Sequence, residues 1–134
     1  MEFSDVIKNR YSCKKFSSEQ IGKDKLDAIL EAGRVAPTAK NLQEQHIYVV
    51  QSESALETID KLTPCRYNAP TVLIVAFNKN NVFTYPGDKR NSGIEDATIV
   101  ATHLMLAACN EGVDSCWINF FNPDELAKAF NLPE

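Results

Sequence analysis

A chain of 134 residues is the length of one domain, at roughly 100–200 residues per domain. Hydrophobic residues at 44% and charged residues at 24% fit a folded globular protein and exclude disorder. The net charge of −4 leaves no general basic surface for nucleic acid. The longest nearly apolar run, 97–109, is broken by Thr98, Thr102 and His103 and falls short of the ~20 residues that span a bilayer. No secretory pattern opens the chain, so a cytoplasmic location is expected.

In chain order, Ser4 is placed to cap a short helix carrying Phe3, Val6 and Ile7 and ending near Arg10. Leu26, Ile29 and Leu30 predict a helix over 23–34, stopped by Gly33 and then Pro37. A β-rich run at 47–51, a helix opened by Ser52 through Leu62, and a continuous apolar strand at 71–77 follow. The polar stretch 79–92, with Pro86-Gly87-Asp88, reads as a long loop over a site. Ile94, Ala97, Ala101, Leu104, Met105 and Ala108 predict a helix over 93–111, and Ile99, Val100 and Leu106 widen its apolar surface. A helix so apolar in so small a protein is expected to lie at a subunit interface. A strand is predicted over 115–121. Asn122-Pro123-Asp124-Glu125 then starts a helix to Phe130. The whole reads as α+β or three-layer α/β.

Charge is uneven along the chain. Residues 1–40 hold eight basic and six acidic side chains, a local excess of +2 in an acidic protein. Within them Arg10, Ser12 and Lys14 alternate, so an extended backbone turns all three to one side, where a guanidinium fork, a hydroxyl and an ammonium suit phosphate oxygens. A solvated basic turn gives the same pattern. Ala36-Pro37-Thr38-Ala39-Lys40-Asn41-Leu42-Gln43 adds small residues that allow close backbone approach, and amides able to meet the edge of a heterocycle; an ordinary connecting loop is its plain reading. No glycine-rich nucleotide loop is present.

Three segments together resemble the FMN-dependent nitroreductases. Arg10-Tyr11-Ser12-Cys13-Lys14-Lys15-Phe16 resembles the family's opening motif, and 36–43 resembles its Ala-Pro-Ser-x-x-Asn-x-Gln segment. The helix over 93–111 with Gly112-Val113-Asp114-Ser115-Cys116-Trp117-Ile118 resembles its central helix and following strand. The resemblance implies a single FMN-binding domain over 1–134, without the usual C-terminal extension. Its fold would be a three-layer α/β/α arrangement with a mixed, mainly antiparallel sheet flanked by helices. It implies a homodimer in which Arg10, Tyr11, Ser12 and Lys14 hold FMN, Arg10 and Ser12 at the phosphate and ribityl chain and Lys14 at the pyrimidine end. Asn41 would lie near the ring, and Pro37 and Thr38 would reach it from the partner subunit. It implies NADH or NADPH as reductant and a nitroaromatic, quinone or related acceptor, in ping-pong hydride transfer with no side chain as nucleophile. The chain departs from the pattern at Glu44-Gln45, where the family has Pro-Trp.

Other residues have plainer readings. Glu95 and Asp96 suit the positive end of a helix dipole; His46 and His103 lack a triad partner. Cys13, Cys65, Cys109 and Cys116 read as reduced thiols with no metal-ligand spacing. Trp117 reads as core or interface, while Tyr67, Phe83 and Tyr85 are candidates to shape a substrate pocket. Two rival functions are a non-catalytic flavin-binding or interaction module of the same fold and a thiol-based redox protein using Cys13, which lies between Arg10 and Lys14.

Overall fold

The computed structural model describes residues 1–133. Its elements are α1 (Phe3–Asn9), α2 (Lys23–Arg34), β1 (Gln45–Val50), α3 (Glu53–Leu62), β2 (Val72–Phe77), α4 (Gly93–Asn110) and α5 (Pro123–Ala129), with a single 3-10 turn at Ala39–Asn41. β1 and β2 pair antiparallel from Gln45 opposite Phe77 to Val50 opposite Val72.

Alternation along these strands creates two cores. Ile47, Leu73 and Val75 pack on Ile29, Val100, Leu104 and Ala108 of α2 and α4. On the opposite face Val50, Ile74, Tyr48 and Val72 meet Ile59 of α3 and Leu126 and Phe130 at α5. Helices therefore cover both faces of the sheet, and the α/β/α layering expected from the sequence is present. Local signals set two helix starts. Ser52 Oγ accepts from Ala55 N at 3.3 Å, and Asn122 Oδ1 accepts from Asp124 N and Glu125 N at 3.0 and 3.2 Å.

Three expectations are corrected. Residues 115–121 do not form a strand: their β contact is an isolated parallel bridge, Ser12 with Ser115. A strand exists only where a neighbour accepts its ladder, and β2 pairs on one side only, with β1. The sheet is thus two-stranded and antiparallel, its parallel component reduced to that bridge. Ser4 does not cap α1, because the helix starts one residue before it and Glu2 is the N-cap. Gly33 does not end α2 but lies inside it, buried. A Cβ there would sit 2.7 Å from Leu104 Cδ2, so glycine leaves room for the leucine tip where α2 meets α4.

α4 is the hub, touching α1, α2, β1 and β2. Its cover is still incomplete: Ile94 is 75% exposed, as are Phe3 at 68% and Phe120 at 72% elsewhere on the surface. No helix among the described residues is long and apolar enough to cross a membrane.

Candidate cofactor site

The first group of predicted site residues follows α1. Arg10 is its C-cap, with extended backbone (φ −61°, ψ 140°), so the chain leaves the helix straight. Its half-buried guanidinium lies 4.0 Å from Met105 Sδ of α4. The Ser12–Ser115 bridge, closed by Cys13 N donating to Ser115 O at 2.9 Å, fixes the next residues. Cys13 turns inward, 7% exposed, with its thiol donating to Lys15 O at 3.2 Å, while Ser12 and Lys14 on either side are exposed. This is the alternation that presents the hydroxyl and the ammonium together. Tyr11 is exposed beside Asp114, whose carboxylate holds its phenol pKa above the ordinary value.

The ion pairs among the described residues are Lys23–Asp27, Arg34–Glu31 and Arg66–Asp60. None of them takes Arg10 or Lys14, so both cations remain available to an anion. The buried Cys13 thiol weighs against the thiol-based alternative, which needs an accessible sulfur. Among the described residues no cluster of three His, Cys, Asp or Glu side chains could hold a metal ion.

The second group lies after α2. Pro37 is exposed, Thr38 is extended, and the 3-10 turn carries Asn41 outward. Lys40, Asn41 and Gln43 all have positive φ, between 53° and 54°. Asparagine tolerates that region; for lysine and glutamine it costs ~1–2 kcal/mol each. Three contacts hold the turn in this form: Thr38 Oγ1 accepts from Gln43 N at 2.9 Å, Gln43 Nε2 donates to Arg34 O at 3.1 Å, and Asp96 Oδ1 of α4 accepts from Ala39 N at 2.9 Å.

The two groups are not brought together within the chain. Arg10 touches α4 at Met105 and the turn touches it at Asp96, nine residues earlier. At 3.6 residues and 5.4 Å per turn, these anchors lie about 13 Å apart along the axis and on opposite sides of the helix.

Glu95 and Asp96 lie in the first turn of α4, where carboxylates suit the helix dipole, and each also makes a side-chain bond of its own. Glu95 accepts from the Tyr85 hydroxyl, which raises the tyrosine pKa; Asp96 accepts from Ala39 N and from Ser92 Oγ at 2.6 Å. The loop over 79–92 is pinned here, through the Thr84–Asn91 bridge and an edge-on Phe83–Tyr85 pair with ring centroids 5.2 Å apart. His103 Nδ1 lies 3.1 Å from Ala32 O, a structural contact between α4 and α2, and His46 is exposed. A buried amide nitrogen, Gln45 Nε2, has no hydrogen-bond partner among the described residues, and nothing in the local sequence signals it.

The family model described as the nitroreductase family matches residues 7–66 and 63–134. A nitroreductase family protein of Clostridium difficile 630 has a solved structure that superposes with a TM-score of 0.95 at 35% identity, covering 100% of this chain and 77% of that one. A nitroreductase with bound FMN from Bacteroides fragilis NCTC 9343 superposes at 0.74 with 26% identity, over 100% of this chain and 81% of that one. A Bacillus subtilis strain 168 relative, named provisionally as an NAD(P)H nitroreductase, is 27% identical over 168 residues, or 97% of this chain and 82% of its own length.

Proposed function

The chain belongs to the nitroreductase family, and from that membership we propose that it is an FMN-dependent oxidoreductase. It uses NADH or NADPH to reduce nitroaromatic, quinone or related acceptors, and its expected location is the cytoplasm. The observation that carries the reading is the strip of Arg10, Ser12 and Lys14: two cations outside any of the ion pairs, flanking an exposed hydroxyl beside the Ser12–Ser115 bridge.

This donor set fits FMN. Its phosphate calls for uncompensated positive charge and hydroxyl donors, and its ring edge for amide groups and closely approaching backbone. Residues 1–134 act as one FMN-binding domain in which Arg10 and Ser12 take the phosphate and ribityl chain, with Tyr11 beside them. Lys14 takes the pyrimidine edge, where its ammonium favours added electron density and so tunes the cofactor. Asn41 meets the ring edge, and Pro37 and Thr38 offer close backbone. When bound, FMN supplies the two-electron chemistry, with hydride in from the nicotinamide and out to the acceptor in ping-pong alternation. The chain's own residues bind and orient; none is needed as nucleophile.

The separation of the two groups across α4 supports a homodimer. A ligand touching both takes one group from each of two copies, and the exposed Phe3, Ile94 and Phe120 are apolar surface suited to the contact.

The test is an absorbance spectrum after FMN is added and excess removed, followed by NADH or NADPH. The expected result is a retained flavin band that bleaches with the nicotinamide and returns when a quinone is added. Retention without bleaching establishes the non-catalytic flavin-binding alternative instead, and loss of the band on desalting overturns the cofactor assignment. Arg10→Ala is expected to weaken FMN binding about tenfold to hundredfold, the size of a lost charged hydrogen-bond donor; unchanged affinity removes Arg10 from the phosphate site.

A further inference from the structure

Asp96 is a buried carboxylate, 3% exposed, that the proposed chemistry does not use and that belongs to none of the ion pairs. Burying a carboxylate without a cation costs several kcal/mol unless both oxygens are bonded. Both are. Oδ2 accepts from Ser92 Oγ at 2.6 Å, and Oδ1 accepts from Ala39 N at 2.9 Å, 57 residues away in sequence. Its place in the first turn of an 18-residue helix adds the favourable field of the helix N-terminus. The segment it grips needs holding, because Lys40, Asn41 and Gln43 sit at positive φ. Few other contacts restrain it: Thr38 and Gln43 bond within the segment or to the end of α2. The Asp96 bond is the side-chain tie from this segment to the central helix.

We propose that Asp96 is a positioning residue for the cofactor site: it clamps the Ala39 amide so that Thr38 and Asn41 are held in one backbone form before FMN arrives. This rests on the FMN reading given above. The clamp lowers the ordering cost that binding otherwise carries, so it acts on affinity without touching the flavin. Ser92 completes it by fixing the carboxylate rotamer.

The experiment compares wild type with Asp96→Asn, Asp96→Ala and Ser92→Ala by two readouts, amide hydrogen exchange at Ala39 in FMN-free protein and FMN titration. Asparagine keeps the shape and an acceptor for Ala39 N, while its amide can donate to Ser92 Oγ. Asp96→Asn is therefore expected to stay within a fewfold of wild type in both readouts. Asp96→Ala is expected to speed Ala39 exchange and weaken FMN each by about tenfold or more, with exchange at Val100 and Leu104 of the core unchanged. Ser92→Ala is the milder version should Asp96→Ala fail to fold, with a smaller shift in the same two readouts. Wild-type FMN affinity in Asp96→Ala, or equal losses in Asp96→Asn and Asp96→Ala, overturns the proposal. Failure of wild type itself to bind FMN overturns the cofactor reading and the site role of Asp96 with it, while Ala39 exchange separately reports whether the clamp exists.

Discussion

At Gly93 a Cβ would lie 2.1 Å from Phe77 Cε2 and within 2.5 Å of two more ring atoms. An aromatic ring packed at the end of β2 cannot yield as an aliphatic tip can, so Gly93→Ala forces the start of α4 off the sheet. Overpacking of this kind costs ~1–3 kcal/mol. The expected result is a Tm lower by about 5 °C or more with faster Ala39 exchange, because Asp96 rides on the displaced turn; thermal melts and exchange check both. Neither Gly33 nor Gly93 announces its role in the sequence. The first looks like a helix stop and the second like a helix start, since glycine favours both. What fixes them is the ring of Phe77 and the side chain of Leu104, residues brought there only by folding. Asp96 is a parallel case: a local reading sees a carboxylate at a helix N-terminus, and its partner at Ala39 is visible only in three dimensions.

Elements with a strong internal period were legible, and those that depend on a neighbour were not. α2, α3, α4 and both strands follow from spacing and caps, with ends shifted by a residue or two. The run at 115–121 is as β-prone as β1, yet it forms one bridge, because pairing is decided by what lies beside a strand. Between α3 and β2 the connection is held by charge. Arg66 donates to both oxygens of Asp60, at 2.7 and 2.8 Å, and to Ala69 O at 2.7 Å, bracing a turn in which Tyr67 and Asn68 have positive φ. The guanidinium lowers the Asp60 pKa, so the folded value lies below the unfolded one, near 3.9. The stabilisation is therefore present above about pH 4 and lost as pH falls through the folded value. Asp60→Asn is expected to lower Tm at pH 7, with the difference from wild type shrinking below about pH 4; melts at several pH values check the trend. The Asp60 side chain is 46% exposed, so the effect is modest.

For the whole molecule, the decisive feature is that α4 separates the two halves of the candidate site. The alternation of Arg10, Ser12 and Lys14 was legible because it is local, and the amides of 36–43 were legible as a group. Their placement on opposite sides of one helix was not, since it depends on where α1 and the 38–43 turn dock. That placement makes a prediction about assembly. If each FMN is held by Arg10 of one copy and Asn41 of another, Arg10→Ala and Asn41→Ala each damage every site in their own homodimers. When the two variants are refolded together in equal amounts, half of the dimers are mixed. Each mixed dimer has one site carrying both lesions and one carrying neither, so about a quarter of all sites regain wild-type FMN affinity. Titration of the mixture should then show a tight phase absent from either variant alone. If both residues serve a site within their own chain, every site keeps one lesion and no tight phase develops, which would overturn the shared site between two copies.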